Sequence, residues 1–224
     1  MSIMAPLTRF AAGLGVAFAM SACSGTLMPT HVASVPEAGG SSPARIVSST
    51  SDMLNLVRDG SFESPIAPSG GFLVFNVGSK FSKWHVVGAA GDIGIVSGTF
   101  AQNGFTFPAG CGAQWVDLTG IRTTGVGVAQ KIATVQGSQH VLTFSVGNVV
   151  DPNGIFGTTS TVNVLVNGAQ TFKAVNKKGV GSKVQVWKRF TTTITAPSNS
   201  TTITFVNADP AGDDNNGLDC ITLN

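Results

Sequence analysis

Thr161-Val162-Asn163-Val164-Leu165-Val166-Asn167-Gly168-Ala169-Gln170-Thr171-Phe172-Lys173-Ala174-Val175 is the stretch that decides the fold class. Successive side chains of an extended chain point to opposite faces, so Val162, Val164 and Val166 share one face and Thr161, Asn163 and Leu165 the other. Asn167-Gly168 follows at once. A type I′ turn needs positive φ at both central residues, and Asn-Gly tolerates that better than almost any other pair. The stretch therefore predicts two antiparallel strands, Thr161–Val166 and Ala169–Val175, joined by a two-residue turn.

The same period of two recurs outward from there. Leu142, Phe144 and Val146 alternate with Val141, Thr143 and Ser145, and Ile203 and Phe205 alternate with Thr202 and Thr204. Val116 and Leu118 alternate with Trp115 and Asp117, which places an indole and a carboxylate together on the side away from the core pair. Trp84 shares parity with Val86 and reads as core. The run Lys183–Ala196 is out of phase: Val184, Val186, Phe190 and Ile194 share one parity, Trp187 has the other, and Lys188 falls in the apolar row. A bulge near Trp187 resolves the conflict; without one, Trp187 faces outward. No stretch after Met20 carries a capped helical period. Short strands separated by Gly, Asn and Pro turns predict an all-β sandwich or jelly roll.

The start of the chain reads differently. Arg9 precedes an apolar run, Ala11 to Met20, too short to span a bilayer, and Ser21-Ala22-Cys23 follows as a small-residue cleavage site. This is the layout of a lipoprotein export signal, with Cys23 as the lipidated residue; Ser24 after it resembles the outer-membrane rather than the inner-membrane sorting pattern. Gly25 to Asp52 is rich in Ser, Pro, Gly and Ala and has too few large apolar side chains to order itself. The expected organisation is a signal segment over 1–22, a flexible tether over 23–53 and one domain over 54–224.

Charge excludes one class of partner. Thirteen Lys+Arg against eleven Asp+Glu leave a net charge of +2. The only basic pairs, Lys177-Lys178 and Lys188-Arg189, form no stripe for a phosphate backbone, so no nucleic-acid partner is expected. With Cys23 taken by lipid, Cys111 and Cys220 remain as an even pair in an oxidising compartment and are expected to form a disulfide.

The two ends of the domain carry a further pattern. Asn55-Leu56-Val57-Arg58-Asp59-Gly60-Ser61-Phe62-Glu63 opens it, and Asn215-Asn216-Gly217-Leu218-Asp219-Cys220-Ile221 closes it behind an acidic, amide-rich loop. Between them, in order, lie Trp84-His85-Val86-Val87, Gly91-Asp92-Ile93-Gly94-Ile95-Val96, Gln114-Trp115-Val116-Asp117-Leu118-Thr119-Gly120, and Gly127-Val128-Ala129-Gln130 followed by Leu142–Asn148. This series resembles the bacterial "choice-of-anchor C" family, which is similar to the domain of unknown function in plant cell-wall proteins; both look like galactose-binding-domain jelly rolls. The resemblance implies a jelly-roll β-sandwich that binds carbohydrate, braced by a calcium near its first and last strands. The matching carboxylates are Glu63 and Asp219, and Asp59 and Ser61 could add oxygens. Two departures stand out: the chain has no tyrosine, and Cys220 occupies a place usually held by Asn or Asp.

Sugars present CH patches and paired hydroxyls, so a sugar site needs flat aromatic faces and a few amide or carboxylate partners. Trp115 and Asp117 are the first candidates, with Asp92 and Trp187 beside them and the loops Phe72–Phe81 and Gln102–Phe107 as a rim. The competing reading of Trp115 is packing under a loop. His31, His85 and His140 are far apart, and no HExxH, GxSxG or Cys–His pattern is present. Gly88–Gly94 is not followed by a helix, and Gly179–Lys183 is too short for a phosphate loop. Non-catalytic binding of a polysaccharide or glycan at the cell envelope is the leading expectation. The alternatives are an envelope lipoprotein with a protein partner and a weak glycoside hydrolase using facing carboxylates such as Asp92 and Asp117.

Overall fold

The computed structural model describes residues 55–121, 123–151 and 156–224. The expectations for the signal segment, for lipidation at Cys23 and for the tether over 23–53 lie outside these residues. The described chain contains no helix and forms two six-stranded sheets in which every pairing is antiparallel. The first sheet runs β1 (Phe72–Asn76), β4 (Asp92–Ser97), β7 (Gln114–Asp117), β14 (Gly217–Leu223), β9 (Gln139–Asn148), β12 (Val186–Thr195). The second runs β11 (Ala169–Asn176), β10 (Ser160–Val166), β13 (Ser200–Asn207), β8 (Gly127–Ala133), β3 (Trp84–Val87), β2 (Lys80–Phe81). A small hairpin, β5 (Ala101–Gln102) with β6 (Phe105–Thr106), stands apart. This is the jelly-roll β-sandwich expected from the alternating pattern.

The turn between β10 and β11 forms as predicted. Val166 pairs with Ala169, and Asn167 and Gly168 take φ of 48° and 86°. Strands of both sheets and the segments flanking them supply the interior: Phe62, Trp84, Phe144, Phe205, Leu118, Leu142, Ile203 and Leu218 are among the largest fully buried side chains. Trp84 is core, as its parity implied; its indole N–H donates to the Asp59 carbonyl at 2.8 Å, so a wide apolar surface is buried without an orphaned donor.

The two ends of the domain meet. The Leu56 N–H donates to the Leu223 carbonyl at 2.9 Å, and the Ile221 N–H donates to the Gly60 carbonyl at 2.9 Å. A Cβ at Gly60 would lie 2.1 Å from the Ile221 carbonyl oxygen, so only glycine permits that approach. The predicted disulfide is present: Cys111 and Cys220 are bonded with Cα atoms 5.5 Å apart, linking the loop before β7 to the final strand.

The out-of-phase strand resolves without a bulge. β12 pairs with β9 in one register from Val186↔Asn148 to Thr195↔Gln139, so Trp187 does face outward. Lys188 sits in the apolar row because its ammonium snorkels to the Val175 carbonyl at 3.0 Å and lies 4.7 Å from the Phe190 ring centroid.

Candidate functional site

The outward face of the first sheet is where the candidate residues gather. Register puts Phe72 opposite Val96 and Val96 opposite Trp115 in one row. The neighbouring row runs Val74, Gly94, Asp117, Gly217, Gly147 and Trp187. Glycines on either side of Asp117 leave low ground around its carboxylate. At the far end they make room for other side chains: a Cβ at Gly217 would lie 3.0 Å from the Trp187 ring and 3.3 Å from Gln185 Oε1.

A second aromatic cluster is built on this face, outside the main core. The β5–β6 hairpin and the chain after it fold over Trp115, whose indole N–H donates to the Phe107 carbonyl at 3.0 Å. Phe107 stacks on Trp115 at 6.3 Å, Trp187 meets it edge-on at 6.0 Å, and Phe156 meets Phe107 edge-on at 5.3 Å. Trp115 is consequently 2 % exposed. Its parity was read correctly, but it is floor rather than open stacking platform. The packing of Phe105 and Phe107 likewise corrects the expectation that both stand free on a rim; each is buried in this cluster.

A cavity of about 260 Å³ remains open beside the cluster. Its apolar wall includes Phe72, Val74, Phe100, Phe107, Trp115 and Ile121, and its polar side is Asp117, Asp214, Asn215 and Gln102. Phe72, Val74 and Ile121 are 51 %, 44 % and 66 % exposed and form an apolar lip. Ligand cavities for drug-sized molecules span roughly 300–1,000 Å³, so this one suits the end of a ligand rather than a long chain.

Asp117 accepts N–H groups from Thr119 and Asn216, both at 3.1 Å, and the Thr119 hydroxyl at 2.8 Å. Burial nevertheless pushes its carboxyl up to about 7, with Asp214 adding repulsion. Asn215 is fully buried on the cavity wall, and neither its Oδ1 nor its Nδ2 has a hydrogen-bond partner. Buried side-chain amides are nearly always paired, so this side chain is unusual. In the sequence Asn215 stands out only as part of the closing motif; its orphaned state depends on how the 207–216 loop folds back, which no local pattern encodes.

Two other expected ligand residues are placed elsewhere. Asp92 does not line the cavity; it is buried and its Oδ1 accepts the Ile121 N–H at 2.7 Å. It holds the turn that carries Ile121 to the lip. Trp187 does not line the cavity either, because its N–H is committed to the Pro108 carbonyl at 2.9 Å while its ring props Trp115.

The residues expected to hold calcium have a different occupation. Glu63 Oε1 accepts the N–H groups of Ala113 at 3.0 Å and Gln114 at 3.3 Å. Asp219 Oδ2 accepts those of Gly110 and Cys111, each at 2.8 Å, and its Oδ1 accepts that of Cys220 at 2.7 Å. Asp59 Oδ1 accepts the Glu63 N–H at 2.7 Å, leaving Oδ2 buried without a partner. Ser61 lies on the wall of a separate, shallower cavity beside the disulfide. Calcium takes six to eight oxygens, whereas the groups converging here are mostly N–H donors whose positive ends oppose a cation. Among the described residues, no three of His, Cys, Asp and Glu come together as a metal-holding group. This donor set does not fit calcium; it anchors the 110–114 loop instead. Millimolar calcium and EDTA are both expected to leave the melting temperature of the domain unchanged. A calcium-induced rise in differential scanning calorimetry would place a cation in the fold.

Residues 55–220 match the family described as "Protein of unknown function (DUF642)". No match is found among the curated proteins. Among solved structures, the chain is similar to a family 35 carbohydrate binding module from an environmental isolate, at 14 % identity and a TM-score of 0.42, covering 71 % of this chain and 89 % of that one. It is also similar to a family 35 module from Clostridium thermocellum, at 10 % identity and a TM-score of 0.41, covering 68 % and 97 %. An exo-beta-1,3-galactanase from Phanerochaete chrysosporium is matched at 18 % identity and a TM-score of 0.39, over 70 % of this chain and 30 % of the enzyme.

Proposed function

The chain belongs to the DUF642 family, and on that premise we propose that it binds the terminal residues of a polysaccharide or glycan, without chemistry, in the cavity on the outer face of the first sheet. The observation that carries this reading is Asn215: a fully buried amide on a ligand-sized wall, with a donor and an acceptor both unused. A sugar hydroxyl both donates and accepts, so one such group could pair with either amide atom. The apolar lip of Phe72, Val74 and Ile121 would cover the CH face of a ring. We further propose that the chain is exported and held at the envelope through lipid at Cys23, since the Cys111–Cys220 disulfide belongs to an oxidising compartment.

The test is a glycan and polysaccharide array with the full chain and with Asn215→Ala. Binding by the parent and its loss, by about tenfold or more, in the variant is the expected result, because an unpaired buried amide in the free site becomes a made hydrogen bond in the complex. The melting temperature of Asn215→Ala is expected to hold or rise, since no protein hydrogen bond is lost and the desolvation of an unpaired group is relieved. A variant that unfolds early but binds normally would assign Asn215 to structure. A second reading, an envelope protein docking a protein partner, rests on the exposed lip at Phe72, Val74 and Ile121; it gains if no glycan is bound by a folded chain.

A further inference from the structure

A second cleft opens on the same face of the first sheet, beside Trp187. Strand faces alternate, so Arg189, two residues after Trp187, points outward as Trp187 does. Register sets Arg189 opposite Ser145, and Ser145 opposite Asp219. The cleft has a volume of about 480 Å³ and lies against the Cys111–Cys220 disulfide; Ser61, Ser145, Arg189 and Thr222 supply its polar groups. A bulge in the last strand shapes it. Ser145 pairs with Asp219 and Thr143 with Thr222, so Cys220 and Ile221 together stand against the single residue Phe144. Cys220 takes a φ of 56° there, and its sulfur leaves the strand to meet Cys111. Bulges re-aim side chains and collect beside functional sites.

The donors of this cleft are unspent. Ser145 is 7 % exposed, yet its hydroxyl enters no hydrogen bond with a described residue, and neither do the hydroxyls of Ser61 and Thr222. The Arg189 guanidinium is exposed and likewise makes no ion pair or hydrogen bond with a described residue. Asn55, on the same wall, is occupied: its Oδ1 accepts the N–H groups of Val57 and Leu223. A guanidinium presents a planar fork of N–H groups and no acceptor, a shape that a carboxylate or a sulfate fills with two parallel hydrogen bonds. Residues directly opposite on antiparallel strands hold their Cβ atoms about 5 Å apart, so one oxyanion can span Arg189 and Ser145. Asp219, the carboxylate of that row, is fully buried and accepts the N–H groups of Gly110, Cys111 and Cys220. Glu63, which repels it, accepts those of Ala113 and Gln114. Both carboxylates are tied to the backbone of the disulfide loop and neither is paired with the guanidinium.

Resting on the glycan-binding reading, we propose that this cleft is a second glycan site that takes the carboxylate or sulfate of an acidic polysaccharide, with Arg189 forking onto the acid and Ser145 donating a further hydrogen bond.

The test is titration calorimetry of the full chain with glucuronate oligomers, sulfated dextran and unmodified dextran, in low and in high salt. An acidic ligand is expected to bind about tenfold tighter than unmodified dextran, the margin that hydrogen bonds to a charged group supply. That margin should narrow as salt is raised, because Arg189 is exposed. A margin with glucuronate alone, or with sulfated dextran alone, supports the site and says which acid it takes. Arg189→Gln should abolish the margin without lowering the melting temperature, since no described partner is lost. Arg189→Lys, which keeps the charge without the fork, should restore only part of it. Lys131→Gln removes the same charge from an exposed position on the second sheet and should leave the margin intact. Acidic ligands that bind no tighter than dextran would overturn the inference while leaving glycan binding in the first cavity standing. So would a margin that survives Arg189→Gln, or one that falls equally in Lys131→Gln, which would reduce it to net charge. An acidic ligand lost in Asn215→Ala but kept in Arg189→Gln would place the acid in the first cavity and overturn the second site alone. No binding of any glycan by the folded chain would overturn both readings together.

Discussion

Replacing Cys111 and Cys220 together by serine is expected to lower the melting temperature by about 10–15 °C while leaving the folded structure intact. The bond joins residues 109 positions apart, and in the chain-entropy account a loop of that size restrains the unfolded ensemble by about 4–5 kcal/mol. A domain of this length loses roughly 2–4 °C per kcal/mol. The folded state has other means of keeping the loop in place: Asp219 accepts the N–H groups of Gly110 and Cys111, and Glu63 accepts those of Ala113 and Gln114. Near-ultraviolet circular dichroism should therefore be unchanged at room temperature, because Trp115 and Trp187 stay covered by Phe107 and Pro108. Calorimetry of the parent and the double variant checks the first statement. A drop of under about 2 °C would mean that the unfolded chain is already restrained without the bond.

Acidification is expected to stabilise the domain. Burial pushes the carboxyls of Asp117, Asp209 and Asp219 up from 3.8 to about 7, and Asp213 shifts in the same direction. Between about pH 4 and pH 7 the folded chain thus holds protons that the unfolded chain has released. Stability falls with rising pH wherever the folded state binds more protons, by up to about 1.4 kcal/mol per unit for each group. The contribution is fully present below the unfolded value, is lost as pH rises through the folded value, and is flat above it. Asp117 and Asp209 repel each other, so their protons leave in shared steps and the gain is less than three independent groups would supply. A melting temperature at pH 5 several degrees above that at pH 8 is the expected outcome. A midpoint that falls on acidification would show these carboxylates to be ionised and compensated in the folded chain, as a bound cation would make them.

These carboxylates also mark the boundary between what was legible early and what was not. Alternation along Val162–Val166 and Leu142–Val146, with Asn167-Gly168 between strands, was enough to predict an all-β fold, because period two and turn chemistry are local properties of the chain. Parity placed Trp84 inside and Trp115 with Asp117 on the outer face, and cysteine count with compartment predicted the Cys111–Cys220 disulfide. Parity does not say what lies above a face. Trp115 and Trp187 both point outward, yet the chain from β5 to Pro108 covers them, so the expected stacking platform became the floor of a cavity.

Composition and pattern alone thus determined the strand-rich sandwich, the pairing of Cys111 with Cys220 and the sheet face that Trp115 and Asp117 share. Tertiary structure alone decided that Asp92 secures a turn, that Glu63 and Asp219 anchor a loop through backbone N–H groups, and that Asn215 is left buried with both amide atoms unused. The reason is physical. Which side a residue faces follows from its neighbours in the chain, whereas its hydrogen-bond partners and its exposure follow from segments that arrive from a hundred residues away.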